Sequence, residues 1–439
     1  MKVRIFPSKA HGTVCAPPSK SVAHRALICG ALSEGSTIYN LAMSEDIAAT
    51  TECLEKFGAK VERLSDAATA GRCAEAAGQS AEAAGRDAIR IGGWALDAIP
   101  EDVTVDCRES GSTLRFLIPF AMLSGRTVHF LGSERLMQRP LGIYREISER
   151  NGGLFELSGR VLTVRGGLIA GEYEVPGNIS SQFLTGLMMA LPLAGGDSRI
   201  RITGPIESGS YLDITSAVLA DFGADVRRIG EEGREIAIPG NTAFTARDYI
   251  VEGDCSNAAF LEALALLAGE TEEDGNAGSC APALAVTGVP DDTRQGDRVY
   301  REMLRGLASG ARREFDLSDC PDLAPCMFAM AAYFGGAHFT GTARLAIKES
   351  DRGAAMAEEL ACFGINVTVG ANEVDIPDGK LQPPTRVLDG HNDHRIVMAL
   401  ALLCTVTGGT IDGAEAVAKS YPDFFTVIAA AGIEVVTEA

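Results

Sequence analysis

From Ile396 the chain reads IVMALALLC, an uncharged apolar run, and directly before it stand Asp393, His394 and Arg395. A run of that kind, without strand-like alternation, predicts a buried helix. A short polar side chain ahead of it suits the exposed N–H groups of the first turn. The same order recurs in PPSKSVAHRALICGAL (17–32), ESGSTLRFLIPFAML (109–123) and NISSQFLTGLMMALPL (178–193). A second pattern alternates with the first. SEDIAATTECLEKFGAKVERL (44–64) predicts a helix with an acidic start, a glycine stop and then a strand. RPLGIYREISERNGGLFEL repeats it around Gly152 and YLDITSAVLADFGADVRRI around Gly223. Weaker copies follow around Gly310, Gly364 and Gly432. In each copy the glycine suits the left-handed position that ends a helix, and the β-branched residues after it suit a strand.

Copies at such uneven spacing predict a repeated α/β unit rather than a short-period solenoid. Three fall before about residue 248 and three after, which predicts two similar domains of three units each. The run Arg247 to Leu267 is suited to carry the chain from one domain to the other. Two segments read as insertions, expected at the surface and weakly ordered: the Ala/Gly-rich 66–86 and the polar 271–282.

Composition narrows the function. At 439 residues and 46% hydrophobic, the chain can bury ample core. A formal net charge of -20 argues against nucleic-acid partners. MKVRIFPSKAHG turns polar too early for a secretory signal, and the apolar runs are too short to span a membrane, so a cytoplasmic location is expected. Eleven cysteines without a CxxC pair indicate neither a zinc site nor a disulfide framework.

Against this acidic background, cations stand where a helix least favours them. A positive charge at a helix N-terminus faces the positive end of the helix dipole. Arg395 does so, as do Lys20 in SKSVAHR and Arg115 in SGSTLR; SERLMQRP adds Arg135 and Arg139, and KESDR adds Lys348 and Arg352. Ser21 and Arg25, four apart, share one helix face. Exposed N–H groups, hydroxyls and a cation at a helix start form an anion site. Any one of these is better explained by a surface charge or a structural salt bridge. Their recurrence points to ligands with several phosphates or carboxylates. GxxxxGK[ST] is absent, no GxGxxG links a strand to a helix, and His394 has no nucleophile pattern beside it.

In order along the chain, PPSKSVAHRAL, ESGSTLR, RLMQRP, SSQFLT, SGSYLDIT, VEGD, PDLAP, KESDR, NDHR and AKSYPDFF resemble the EPSP synthase family, the 3-phosphoshikimate 1-carboxyvinyltransferases. The resemblance implies an α/β fold of two similar domains, each of three repeated βαβαββ units of the inside-out α/β barrel type. Residues 19–248 would form an upper domain, and 1–18 with 249–439 a discontinuous lower one. The active site would lie in the interdomain cleft, open when free and closed on ligand. The implied reaction moves the enolpyruvyl group of phosphoenolpyruvate to the 5-hydroxyl of shikimate 3-phosphate and releases phosphate. It needs no metal or cofactor, and a monomer is expected.

Carried over by residue, the family's pattern places Lys20, Ser21, Arg25, Ser180, Ser181, Gln182, Ser208, Tyr211, Asp322 and Lys348 around shikimate 3-phosphate. Lys20, Gly111, Arg135, Gln182 and Lys419 would hold phosphoenolpyruvate, with Arg352 and Arg395 clamping its carboxylate. Asp322 resembles the group that deprotonates the hydroxyl; Glu349 and Lys20 are the candidates for proton delivery and return. A carboxylate among cations favours its charged form, which suits a base better than an acid. Asp393 and His394 belong to the same motif, with Asp393 equally readable as a helix cap.

This chain departs from the family at Glu109, in place of the usual asparagine, where a carboxylate would stand beside a phosphate site. It departs again at Arg344, often a neutral asparagine, which adds a cation. Two other readings remain open. A sister enolpyruvyl transferase acting on a nucleotide sugar would need a platform for a uridine group, and Trp94 is the only tryptophan. A non-catalytic anion-binding protein would have no use for Asp322 and Glu349 together.

Overall fold

The computed structural model describes residues 1–64, 87–269 and 283–438. The expected insertions at 66–86 and 271–282 lie outside the described residues. The chain divides into a first compact unit, Pro18–Glu252, and a second made of Met1–Pro17 with Gly253–Ala439.

One topology recurs in both. In the first unit, strand Asp102–Asp106 leads into helix Gly111–Ser124 and returns as the parallel strand Thr127–Leu131. Helix Gly142–Arg150 follows, then the hairpin Leu154–Ser158 and Val161–Arg165, whose last strand pairs antiparallel with Thr127–Leu131. The spatial order is therefore first, second, fourth, third. Parallel neighbours need a long crossover, and here a helix supplies it. The sheet built on Glu172–Pro176, Ser198–Thr203, Glu235–Ile238 and Arg227–Ile229 has the same order, and so does that of Glu314–Asp316, Ala337–Thr340, Glu373–Ile376 and Thr368–Val369 in the second unit. Two sheets complete the order with distant strands. Asp248–Ile250 supplies the first strand beside Ser36–Leu41, and Lys2–Ile5 fills the fourth place between Gly409–Asp412 and Val435–Glu438. Gly12–Cys15 and Leu284–Thr287 form a further parallel pair.

The two helices of a repeat differ as their sequences do. First helices are apolar all round and buried on every side: Ile396 to Thr405 are buried without a break in helix His394–Thr407. Second helices bury one stripe. In Tyr300–Ser309 this is Tyr300, Met303, Leu304 and Leu307, the spacing of one helical face. The six glycines expected to stop second helices, Gly58, Gly152, Gly223, Gly310, Gly364 and Gly432, all have positive φ, between 70° and 102°. Each buried first helix begins just after the carboxyl end of a strand, the edge of an α/β sheet where ligands bind.

Candidate active site

In the first unit, Ser19, Ser110 and Ser180 cap helices Lys20–Ala31, Gly111–Ser124 and Ser181–Ala190, accepting from the N–H groups of Val22, Thr113 and Gln182. Their starts carry the expected residues. Lys20 donates to Asp46 Oδ2 at 2.8 Å. Arg25 is 97% enclosed, and its guanidinium donates to Thr215 Oγ1 (2.8 Å), the Ser21 carbonyl (2.6 Å), Thr185 Oγ1 (3.2 Å) and the Tyr211 carbonyl (3.2 Å). It also lies over the Phe116 ring at 5.1 Å. All these partners are neutral, and burial lowers its pKa to about 10. A cation enclosed this way favours an anion beside it.

One turn after Lys20, His24 is wholly buried, with Nδ1 2.8 Å from Thr50 Oγ1; Thr50 in turn meets Thr113 at 2.6 Å, and Thr113 donates to Ser110 Oγ at 2.7 Å. Burial first, then Lys20 and Arg25, push the His24 pKa well below its ordinary value. It is therefore neutral, and this uncharged chain of hydrogen bonds ties two helix starts together. At the second of them, a Cβ on Gly111 would come within 2.7 Å of Arg139 Nη1 and 3.1 Å of Arg115 Nη1. The bare glycine lets two guanidinium groups approach the helix end. Arg115 also donates to Gln182 Oε1 at 2.9 Å, and Gln182 donates to Ser112 Oγ at 3.1 Å. Ser208 stands just before helix Gly209–Asp221, which bears Tyr211, and holds φ 57°, a left-handed conformation uncommon for residues other than glycine. Arg135 stands exposed on the short helix Glu134–Gln138.

The second unit holds a denser cluster. Asp322 Oδ1 accepts from Arg352 Nη1 at 2.8 Å and Lys348 Nζ at 3.0 Å, while Oδ2 accepts from Arg395 Nη2 at 3.1 Å. Arg352 continues to Asp393 Oδ2 through Nε (2.8 Å) and to Glu349 Oε2 through Nη2 (2.9 Å). Asp393 also accepts from the Arg395 N–H at 2.9 Å, so it is both the cap of helix His394–Thr407 and an ionic partner. Burial opposes the charge on Asp322, but Arg395, Lys348 and Arg352 overcome it and hold its pKa well below the carboxylate range. Burial draws the Lys348 pKa down despite Asp322. Burial likewise opposes a raised pKa on Arg352, yet Asp393, Glu349 and Asp322 raise it further. Lys419 donates to the Asn392 carbonyl at 2.6 Å, and Arg344 to the Ser318 carbonyl at 2.7 Å.

Arg395 thus meets a carboxylate of its own chain. Three cations and three carboxylates interlock here, and an incoming anion would compete with Asp322 for them. The residues expected to hold shikimate 3-phosphate fall in both units: Lys20, Ser21, Arg25, Ser180, Ser181, Gln182, Ser208 and Tyr211 in the first, Asp322 and Lys348 in the second.

The chain matches the family model described as EPSP synthase (3-phosphoshikimate 1-carboxyvinyltransferase) over residues 6–428. It belongs to the EPSP synthase family. A 3-phosphoshikimate 1-carboxyvinyltransferase of Clostridium novyi (strain NT) is 37% identical, with 96% of this chain and 95% of the relative covered. One from Clostridium kluyveri is 36% identical over 99% and 98%. Among solved structures, an EPSP synthase of Acinetobacter baumannii superposes with a TM-score of 0.73 at 22% identity, covering 99% of this chain and 100% of that one. The enolpyruvyl transferase NikO of Streptomyces tendae reaches 0.70 at 15% identity, covering 100% and 99%. At those identities the likeness is one of fold.

Within this EPSP synthase family frame, the motifs missed three partners. Asp46 holds Lys20, Ser256 accepts from Arg395 Nη2 at 2.8 Å, and Thr215 holds Arg25. Each lies far in sequence from the cation it serves. For Asp46 and Ser256 the only available signal was a polar residue near a helix start, which is too common to have singled them out, while Thr215 closes the SGSYLDIT stretch in the middle of helix Gly209–Asp221 and has no signal of its own.

Proposed function

We infer that the protein is a 3-phosphoshikimate 1-carboxyvinyltransferase: it transfers the enolpyruvyl group of phosphoenolpyruvate to the 5-hydroxyl of shikimate 3-phosphate, in the synthesis of aromatic compounds. Membership of the family over almost the whole chain supports the reaction. The observation that carries the chemistry is the placing of Asp322 among Lys348, Arg352 and Arg395. A protein that only binds anions would gain nothing from a carboxylate competing for the same cations.

In this reading, Ser21, Arg25, Ser180, Ser181, Ser208, Tyr211 and Lys348 bind shikimate 3-phosphate, with Arg25 on its carboxylate. Lys20, Gly111, Arg135 and Lys419 take the phosphate of phosphoenolpyruvate, Arg352 and Arg395 take its carboxylate, and Gln182 contacts both substrates. Free Asp322 is a weak base, because three cations stabilise its charge. Substrate anions on those cations would remove that stabilisation and raise its basicity when the hydroxyl arrives. Asp322 then accepts the hydroxyl proton, the oxygen bonds to C2 of phosphoenolpyruvate, and C3 gains a proton. In the second step C3 loses a proton, the C2–O bond to phosphate breaks and the double bond re-forms. Glu349 and Lys20 are the groups for delivery and removal at C3. We also read the protein as a cytoplasmic monomer without a nucleic-acid or membrane partner. A charge of -20 argues against a nucleic-acid partner, and no described helix is long and apolar enough to cross a membrane.

Phosphate release from phosphoenolpyruvate, measured with and without shikimate 3-phosphate, tests the reading. Release only when both are present supports it. Binding of shikimate 3-phosphate without any release would leave a binding protein, and no binding would remove the assigned substrate.

A further inference from the structure

Outside the substrate cluster, one carboxylate of the second unit is enclosed and heavily bonded. Glu359, on helix Arg352–Cys362, is wholly buried. Its Oε1 accepts from Arg386 Nη2 at 2.8 Å and pairs with His391 Nε2 at 3.1 Å; its Oε2 accepts from the Asp389 N–H at 3.1 Å and Arg386 Nη1 at 3.3 Å. With Glu358 these groups are close enough together to suggest a cation site, but the Arg386 guanidinium already supplies the positive charge.

What this cluster grips is the loop before helix His394–Thr407. His391 and Asn392 both hold φ 49°, two consecutive left-handed residues without a glycine. Histidine and asparagine adopt that conformation more readily than most L-residues, but two in succession are uncommon and need support from their surroundings. The loop's products are used at once: the Asn392 carbonyl receives Lys419 at 2.6 Å, and Asp393 receives Arg352 at 2.8 Å. Arg352 and Glu359 are seven residues apart, two turns along one helix face. That helix therefore holds the segment at both ends, Asp393 by its first residue and His391, Asp389 and Arg386 by Glu359.

We propose that Glu359, Arg386 and His391 form a positioning clip that keeps the strained His391–Asn392 loop in place, and through it sets Lys419 and Arg352 for phosphoenolpyruvate. The clip rests on the function assigned above. It touches no substrate. Its strength depends on the His391 charge: the hydrogen bond to Glu359 raises the His391 pKa, burial lowers it, and Asp389, Glu359 and Glu358 raise it, with Arg386 the opposing cation nearby. Protonated His391 grips Glu359 more tightly than neutral His391 does, so the clip loosens as pH climbs through the raised His391 pKa.

The test is the KM for phosphoenolpyruvate at saturating shikimate 3-phosphate, from about pH 6 to 9, in wild type, Glu359→Gln, His391→Ala and His391→Asn. Calorimetric binding of phosphoenolpyruvate is measured alongside. Glu359→Gln and His391→Ala should raise KM roughly ten-fold, the worth of one lost charge-assisted bond, with kcat within about two-fold. Wild-type KM should climb at the alkaline end relative to His391→Ala at the same pH. Asparagine tolerates the left-handed region, so His391→Asn should keep a KM nearer wild type but without that climb. Unchanged KM in Glu359→Gln, or matching pH profiles in wild type and His391→Ala, would overturn the clip. If Glu359→Gln fails to fold, the two His391 variants still decide the matter. If the wild type never releases phosphate, weaker phosphoenolpyruvate binding by Glu359→Gln than by the wild type would keep the clip and sink the reaction.

Discussion

Arg352 and Asp393 form an ion pair closed to solvent, Nε to Oδ2 at 2.8 Å, with 1% and 0% of their side chains exposed. The pair joins two helix starts, since Arg352 is the first residue of its helix and Asp393 caps the next. Removing one partner from a pair that has no other partner costs about 3–5 kcal/mol; here Arg352 keeps Asp322 and Glu349, so the loss of Asp393 costs less than that. Loss of the cap adds about 1 kcal/mol. Asp393→Ala should therefore lower the unfolding free energy of the second unit by about 2–4 kcal/mol, read from denaturant titrations. A loss below about 1 kcal/mol would mean that solvent reaches Arg352.

The same network predicts an acid-side loss of stability. Asp322 and Asp393 both have folded pKa values below their ordinary ones, against burial, because Arg395, Lys348 and Arg352 act on the first and Arg352 on the second. A carboxyl depressed in this way stabilises the fold above its unfolded pKa and loses that contribution as pH falls through the folded one. Stability should be flat on the neutral side of about pH 4 and fall below it. In Asp322→Asn/Asp393→Asn the fall should be shallower. Denaturant titrations across that range read the difference directly.

Catalysis should separate the two reacting carboxylates from the binding set. Asp322→Asn and Glu349→Gln should each lower kcat by about 10²–10⁴ while shikimate 3-phosphate still binds. Because substrate anions would relieve Asp322 of its cations, the acid limb of kcat, which reports the complex, should lie at higher pH than that of kcat/KM, which reports free enzyme. Coincident limbs would contradict activation of Asp322 by its substrates.

Much of this was legible along the chain because it is local. Gly58, Gly152, Gly223, Gly310, Gly364 and Gly432 announce helix ends, and all have positive φ. Ser19, Ser110, Ser180 and Asp393 announce helix starts, and all four side chains cap. What stayed hidden depends on distant contact. Lys2–Ile5 gives no sign that it completes a sheet with Gly409–Asp412. Nor does the question posed by Arg395 have a local answer: Asp322 lies 73 residues earlier and reaches it only through the packing of two first helices. His391 and Asn392 follow the turn dipeptide Asp389-Gly390, but nothing local says that both would be left-handed or that Glu359 would hold them.

Arg25 offers a test of how far the site is built for its ligand rather than for the fold. Its guanidinium has only neutral partners, and burial weakens its hold on its proton. Replacing it with methionine removes an enclosed charge and keeps the bulk over Phe116. The acceptors left behind have alternatives: Thr215 Oγ1 already donates to the Tyr211 carbonyl at 2.7 Å and lies 3.0 Å from Thr185 Oγ1. Arg25→Met should therefore unfold within about 1 kcal/mol of wild type or later. Its KM for shikimate 3-phosphate should still rise by about 10² or more, because a charge-assisted contact is lost from a dry site. Arg25→Lys would keep the charge but not the fork, and should fall between the two. A destabilisation of about 3 kcal/mol in Arg25→Met with normal substrate affinity would make Arg25 a structural residue and move the carboxylate contact elsewhere.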